Sequence, residues 1–203
     1  VTAIRTGAVS AVATKYLANP DAGDLAILGA GTQGREHLEG MLEVRKIRRV
    51  RVWDLYPEQS KNFAQRESKR LNIDIEVAAT TKEAVDGADI ICTTTTAKEP
   101  ILMGEWVSPG AHINAIGAGQ PKTREVDSNL VVKSRLYADL QESVIIEAGD
   151  FLIPKQEGLI DDDHIRGSIG ELVTGRVAGR QTKEEITLFK SLGLAIEDLA
   201  AAN

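Results

Sequence analysis

Gly29-Ala30-Gly31-Thr32-Gln33-Gly34 is the segment that most restricts how this chain can fold. It follows a short apolar run, Leu25 to Leu28, that reads as a buried strand bounded by turn residues. It precedes a helical pattern through His37, Leu38, Met41, Leu42 and Arg45. A second strand, Val50 to Trp53, runs into Asp54, 20 residues beyond Gly34. Strand, glycine turn, helix and distal acid together make the dinucleotide-binding fingerprint. Gly29 permits the tight turn, Gly31 lets backbone approach a pyrophosphate, and Gly34 lets helix and strand pack closely. The free N–H groups at the helix start then hold the anion. Asp54 is placed to accept from the ribose hydroxyls and to repel a 2′-phosphate. Leu55 and Tyr56 supply no cation to hold one, so NAD is favoured over NADP.

Strand and helix patterns alternate along the rest of the chain, which calls for a parallel sheet covered on both faces. Pro57 opens a charged helix to about Leu71. Ile73 to Val77, Asp89 to Thr95, Ala111 to Ile116 and Leu136 to Asp139 read as further strands, with a short helix over Thr81 to Val85. Ile4, Ala8, Val12 and Tyr16 share one face of a helix already under way at Val1 without an N-cap, as if cut from something longer. Thr182 and Glu185 form a capping-box pattern ahead of Ile186, Phe189, Leu192, Ile196 and Leu199, which predicts a helix over 182–203. Gly193 inside such a helix implies close approach by another group. The expected organisation is an inter-domain helix over 1–18, a nucleotide-binding domain over 19–181 and the closing helix.

The 24 basic and 30 acidic side chains leave a net charge of −6, with no basic run to meet a nucleic acid or an anionic membrane. Aromatic residues are only 4%, against base-stacking platforms. No apolar stretch approaches the roughly 20 residues that span a bilayer. One cysteine excludes an internal disulfide framework and a cysteine zinc site. A soluble cytoplasmic domain is expected. Asp161-Asp162-Asp163-His164 reads as a solvated acidic loop rather than a metal site, and His37, His112 and Cys92 as packed residues. Glu125 and Asp127 are candidates either for an acid near the cofactor or for helix capping.

Five segments, in order, resemble the ornithine cyclodeaminase/mu-crystallin family. They are Arg5-Thr6-Gly7-Ala8, Gly29 to Arg35, Val50 to Asp54, Ala88 to Ile91, and Phe189 to Asp198. The resemblance implies a Rossmann-type doubly wound parallel sheet and a small amino or imino acid substrate. It also implies an amino-terminal substrate and dimerisation domain that would precede Val1, and a homodimer for a full-length protein. By the same resemblance, Arg5 grips the substrate carboxylate and Leu192 touches the substrate. Cofactor contacts then fall to Thr6, Gly29, Gly31, Thr32, Gln33, Gly34, Asp54, Thr95, Ile116, Gly117, Ala118, Gly119 and Ser191.

In the family's cyclodeaminases and alanine dehydrogenases an aspartate following the fifth strand handles the substrate amine. Here that place reads Gly119, and the family's following lysine falls on Thr123 unless Lys122 replaces it. The imine reductases of the family likewise lack the aspartate, and their Arg-Glu-Leu-Asp resembles Arg124-Glu125-Val126-Asp127. The first expectation is therefore an NAD-dependent reductase of a cyclic imine or ketimine. Ornithine cyclodeaminase, with NAD retained, and a non-catalytic nicotinamide-binding protein are the alternatives.

Overall fold

Successive residues of β1 (Asp24–Leu28) enter two different cores: Leu25 and Ile27 one, Ala26 and Leu28 the other. A strand buried on both faces has no polar side to expose, hence its unbroken apolar run. The computed structural model describes residues 2–202; Val1 and Asn203, the outer ends of the two terminal helices expected from sequence, lie outside them.

The other strands are β2 (Arg49–Trp53), β3 (Ile75–Val77), β4 (Ile90–Thr93), β5 (His112–Ala115), β6 (Ser134–Ala138), β7 (Ile165–Ser168) and β8 (Ile186–Lys190). All pair in parallel in the order β3-β2-β1-β4-β5-β8-β6-β7. The order reverses direction between β1 and β4, the point where such sheets open a ligand crevice. On one face lie α1 (Thr2–Leu17), α2 (Thr32–Val44), α3 (Pro57–Leu71) and α8 (Ile169–Val173). On the other lie α4 (Thr81–Val85), α5 (Ser128–Lys133), α6 (Gln141–Glu147) and α7 (Gly149–Gln156). The last helix, α9 (Ala195–Ala202), leans on α1.

The closing helix expected over 182–203 is a correction. Thr182 Oγ1 does accept from the Glu185 N–H at 3.3 Å, but the turn delivers the chain into β8, inserted between β5 and β6. Thr187, Leu188, Phe189 and Lys190 are all buried, so the apparent helical spacing came from a strand covered on both sides. The sheet therefore runs past residue 181, where the expected nucleotide-binding domain ended. Gly193 lies outside any helix, at φ +90°, where a Cβ would stand 2.3 Å from an Arg5 guanidinium nitrogen.

On α1 the stripe of Ile4, Ala8, Val12 and Tyr16 faces outward. The inward face is built of small residues, Thr6, Gly7, Ser10, Ala11, Ala13 and Thr14, and ends on Leu17. A Cβ on Gly7 would meet the Glu36 carbonyl oxygen at 2.7 Å, which shows how tightly α1 crosses α2. Ile196 and Leu199 of α9 are also exposed. Both terminal helices thus keep an uncovered apolar face.

Candidate active site

The fingerprint glycines each meet a distinct steric demand. Gly29 sits at φ +111°, and a Cβ on Gly34 would stand 2.1 Å from the Gly29 carbonyl oxygen. A Cβ on Gly31 would meet nothing within 4 Å, so that backbone borders open space. Asp54 follows β2 and fastens the turn: Oδ2 accepts from the Ala30 N–H at 2.8 Å and Oδ1 from the Tyr56 N–H at 3.0 Å.

Two cavities meet along the carboxyl ends of the strands. The first, about 450 Å³, is lined by Gly29, Gly31, Asp54, Tyr56, Gln59 and Thr95 among others, with no lysine or arginine in its wall. The second, about 280 Å³, is lined by Arg5, Thr6, Gln33, Ile116, Gly117 and Leu192 among others. Thr94, Thr95 and Thr96 belong to both walls, so the two form one cleft. Ser191 also faces the second cavity. Of the residues singled out from sequence, Thr32, Gly34, Ala118 and Gly119 line neither cavity. Thr32 is exposed at the start of α2, Gly34 packs behind the turn and Ala118 is buried. Gly119 is exposed, with Leu192 Cδ2 as the nearest atom to its would-be Cβ at 3.9 Å. Lys122 is exposed and forms no ion pair among the described residues.

The cleft accepts a dinucleotide on its own chemistry. The buried Gln33 Oε1 has no hydrogen-bond partner, and the start of α2 carries free N–H groups beside open space. The wall of the outer cavity carries an aspartate and no arginine.

Arg5 at the far end is already engaged. Nη1 donates to Glu197 Oε2 at 3.0 Å and Nε to Asp198 Oδ1 at 3.1 Å, both acids on α9. Burial, with Asp139 nearby, pushes the Glu197 carboxyl above its ordinary range. Asp139, at the end of β6, fixes the loop between β8 and α9. Its Oδ2 accepts from Ser191 Oγ at 3.1 Å and from the Leu192 and Gly193 N–H groups at 2.6 Å each. Sequence reasoning placed Asp139 in a strand without a role; its position at a strand's carboxyl end was the available signal.

The residues read as packed are packed. His37 bridges the Gln33 carbonyl and Ser10, and His112 bridges Thr187 and Asn114. Burial pushes these imidazoles down to about 4 and about 3, and the Cys92 thiol up to about 12. Asp127 caps α5 through the Leu130 N–H; Glu125 caps nothing. Among the described residues, no three metal-ligating side chains gather and no helix is long and apolar enough to cross a membrane. A separate concavity, about 520 Å³, lies at the opposite end of the strands, between the end of α1, the end of α2 and the segment before β8. Its Arg45 and Arg180 are spent on backbone carbonyls, including those closing α1.

The model of the ornithine cyclodeaminase/mu-crystallin family matches residues 1–203. The chain belongs to this family. It is 45% identical over 202 residues to the ketimine reductase mu-crystallin of Rattus norvegicus, covering all of this chain and 60% of that protein. It is 38% identical to a Δ1-pyrroline-2-carboxylate reductase of Bacillus cereus, covering all of this chain and 62% of that one. Among solved structures it resembles the Thermococcus litoralis Δ1-pyrroline-2-carboxylate reductase in complex with NADH and L-proline. There the TM-score is 0.96 and identity 47%, over 99% of this chain and 62% of the other. The chain thus spans about three fifths of the length of these family members.

Proposed function

We propose that this chain is the nucleotide-binding part of an NAD-dependent reductase acting on the C=N bond of a small cyclic imine or ketimine carboxylate. The observation that carries the reading is the single cleft with Asp54 at one end and Arg5 at the other; outside its wall, next to Leu192, Gly119 is bare. The relatives named as ketimine and pyrroline-2-carboxylate reductases support it.

NADH, when bound, supplies the hydride; this chain's residues place it. Asp54 accepts from the adenosine ribose, and with no cation in that wall a 2′-phosphate has no partner, so NADP is disfavoured. The start of α2 carries the pyrophosphate. Thr95, Ile116 and Gly117 border the nicotinamide half. Arg5 takes the substrate carboxylate through Nη2 and the free side of Nη1, while Glu197 and Asp198 hold the fork in plane. Leu192 covers the reacting carbon and excludes water. Without an aspartate at position 119, nothing there takes a proton from a substrate amine, which favours imine reduction over deamination. The protein is proposed to work in the cytoplasm as a homodimer on a small amino or imino acid.

The test follows NADH absorbance in the full-length gene product with a five-membered cyclic imine carboxylate. Rapid NADH oxidation is expected. Ammonia release from ornithine at constant NADH would overturn the reading in favour of a cyclodeaminase. Tight NADH binding with no turnover of either substrate would leave a binding protein.

A further inference from the structure

Glu125 is fully buried, yet it lies in the loop before α5 and belongs to none of the roles above. Its carboxylate receives four donors. Oε1 accepts from the Thr95 N–H and from Thr95 Oγ1, each at 2.6 Å. Oε2 accepts from Thr93 Oγ1 and from the Gly117 N–H, each at 2.7 Å. Three of these donors, on Thr93 and Thr95, end or follow β4 and one, on Gly117, follows β5, so a single side chain ties together the two backbones bordering the inner cavity. A Cβ on Gly117 would stand 1.9 Å from the Thr95 carbonyl oxygen, a measure of how closely they approach.

A second buried pair holds the same loop from behind. Lys190 Nζ, at the end of β8, donates to the Ala118 carbonyl at 2.6 Å and pairs with Asp150 at 2.9 Å. Asp150 Oδ1 in turn accepts from the Glu125 and Val126 N–H groups at 2.8 and 3.2 Å. Gly117 is therefore held by its N–H and Ala118 by its carbonyl, each through a buried ionisable group. Burying three ionisable groups where apolar residues would pack costs stability, and the expense falls at one end of the sheet, beside the cleft.

We propose that Glu125 is a positioning residue for the nicotinamide half of the cleft: backed by Asp150 and Lys190, it sets the spacing between Thr95 and Gly117 and so the placement of the ring against the substrate. This rests on the nicotinamide reading of the inner cavity. Burial beside Asp150 pushes the Glu125 carboxyl up, while the Thr95 and Thr93 donors and Lys190 pull it down. The two backbone N–H groups, Thr95 on Oε1 and Gly117 on Oε2, need an oxygen acceptor on each side, whereas the two threonine hydroxyls can either donate or accept.

The test is Glu125→Gln in the full-length protein. An amide presents N–H groups to one side. The threonine hydroxyls can turn to accept them, but whichever backbone N–H faces that side, Thr95 or Gly117, is left unpaired. ADP-ribose, which lacks the nicotinamide ring, and NADH are titrated separately by calorimetry. ADP-ribose affinity is expected to stay within about twofold, NADH affinity to fall roughly tenfold, and kcat to fall by on the order of 10²-fold. Thr93→Val, nearly isosteric and behind the cavity wall, should show the same split at about threefold and decides the matter if Glu125→Gln does not fold. Equal losses for both ligands, or for neither, would overturn the proposal, since a merely structural role lowers both or neither. A wild type that binds neither ligand overturns the nucleotide reading beneath it.

Discussion

Arg5 of α1 and Glu197 of α9, separated by 192 positions, form an ion pair of 3.0 Å between Nη1 and Oε2. Asp198 takes Nε on another edge of the guanidinium, and Gly193 leaves the room the fork occupies. The two ends of the chain thus converge on the group proposed to receive the substrate carboxylate, and they hold it in one orientation. Arg5→Lys keeps the charge but replaces a planar fork of five donors by three on one atom, too few for two acids and a bidentate substrate carboxylate. The expected result is a KM for the imine carboxylate raised roughly tenfold or more, with NADH affinity unchanged. A KM within twofold of wild type would remove Arg5 from the substrate site.

Asp54 has two proposed duties, because the same carboxylate proposed to face the ribose also fastens the glycine turn through the Ala30 N–H. Asp54→Ser removes the repulsion of a 2′-phosphate and shortens the acceptor. NADH affinity should fall roughly tenfold, and the ratio of NADPH to NADH affinity should rise, measured by fluorescence titration of each. Unchanged affinities for both would show that Asp54 does not touch the ribose.

These two sites differ in how much of them the sequence displays. The glycine turn, its flanking strand and helix, and Asp54 lie within a short stretch whose spacing is set by local geometry, so they can be read residue by residue. The strand Ile186–Lys190 cannot: it is covered on both faces, and a turn built from Thr182 and Glu185 imitates a helix start. The edge strand Ile165–Ser168 carries Arg166 and Gly167, which hide its pattern. Lys190, Asp139 and Asp150 gain meaning only from partners brought by the sheet order, such as Lys190 reaching Ala118 from two strands' distance in sequence. Motif resemblance located the cleft; the buried charges that brace it are visible only once β8 stands between β5 and β6.

Gly117 and Gly119 stand two residues apart and should respond oppositely to a side chain. Gly117→Ala forces a Cβ against the Thr95 carbonyl at 1.9 Å and against Glu125 Oε1 at 2.6 Å. It should cost about 2 kcal/mol or more, read from urea midpoints. Gly119→Asp enters open space and should change stability by less than about 1 kcal/mol. Its carboxylate should add an acid-side limb near pH 4 to the profile of imine reduction. Destabilisation by Gly119→Asp as large as by Gly117→Ala would mean that the loop after β5 is packed differently in solution.

His37 and His112 make the fold sensitive to acid. Both are buried and neutral, at about 4 and about 3 in the folded chain, whereas an unfolded imidazole titrates near 6.5. The cause is burial in each case, to which the positive Arg180 and Arg45 add at His112. Between these values the unfolded chain binds more protons than the folded one, so stability rises with pH across that window. The contribution is complete above about pH 6.5 and is lost as pH falls toward 4 and 3. Glu67, held below its ordinary range by Arg66 and Arg70 against the cost of burial, adds a loss of the same sign at lower pH. Urea midpoints should therefore drop steadily from pH 7 to pH 4.5. In His37→Gln, whose amide can still serve Ser10 and the Gln33 carbonyl, the drop over that interval should be shallower. Parallel curves for the two proteins would show that His37 titrates alike in the folded and unfolded chains, against its buried contacts with Ser10 and Gln33.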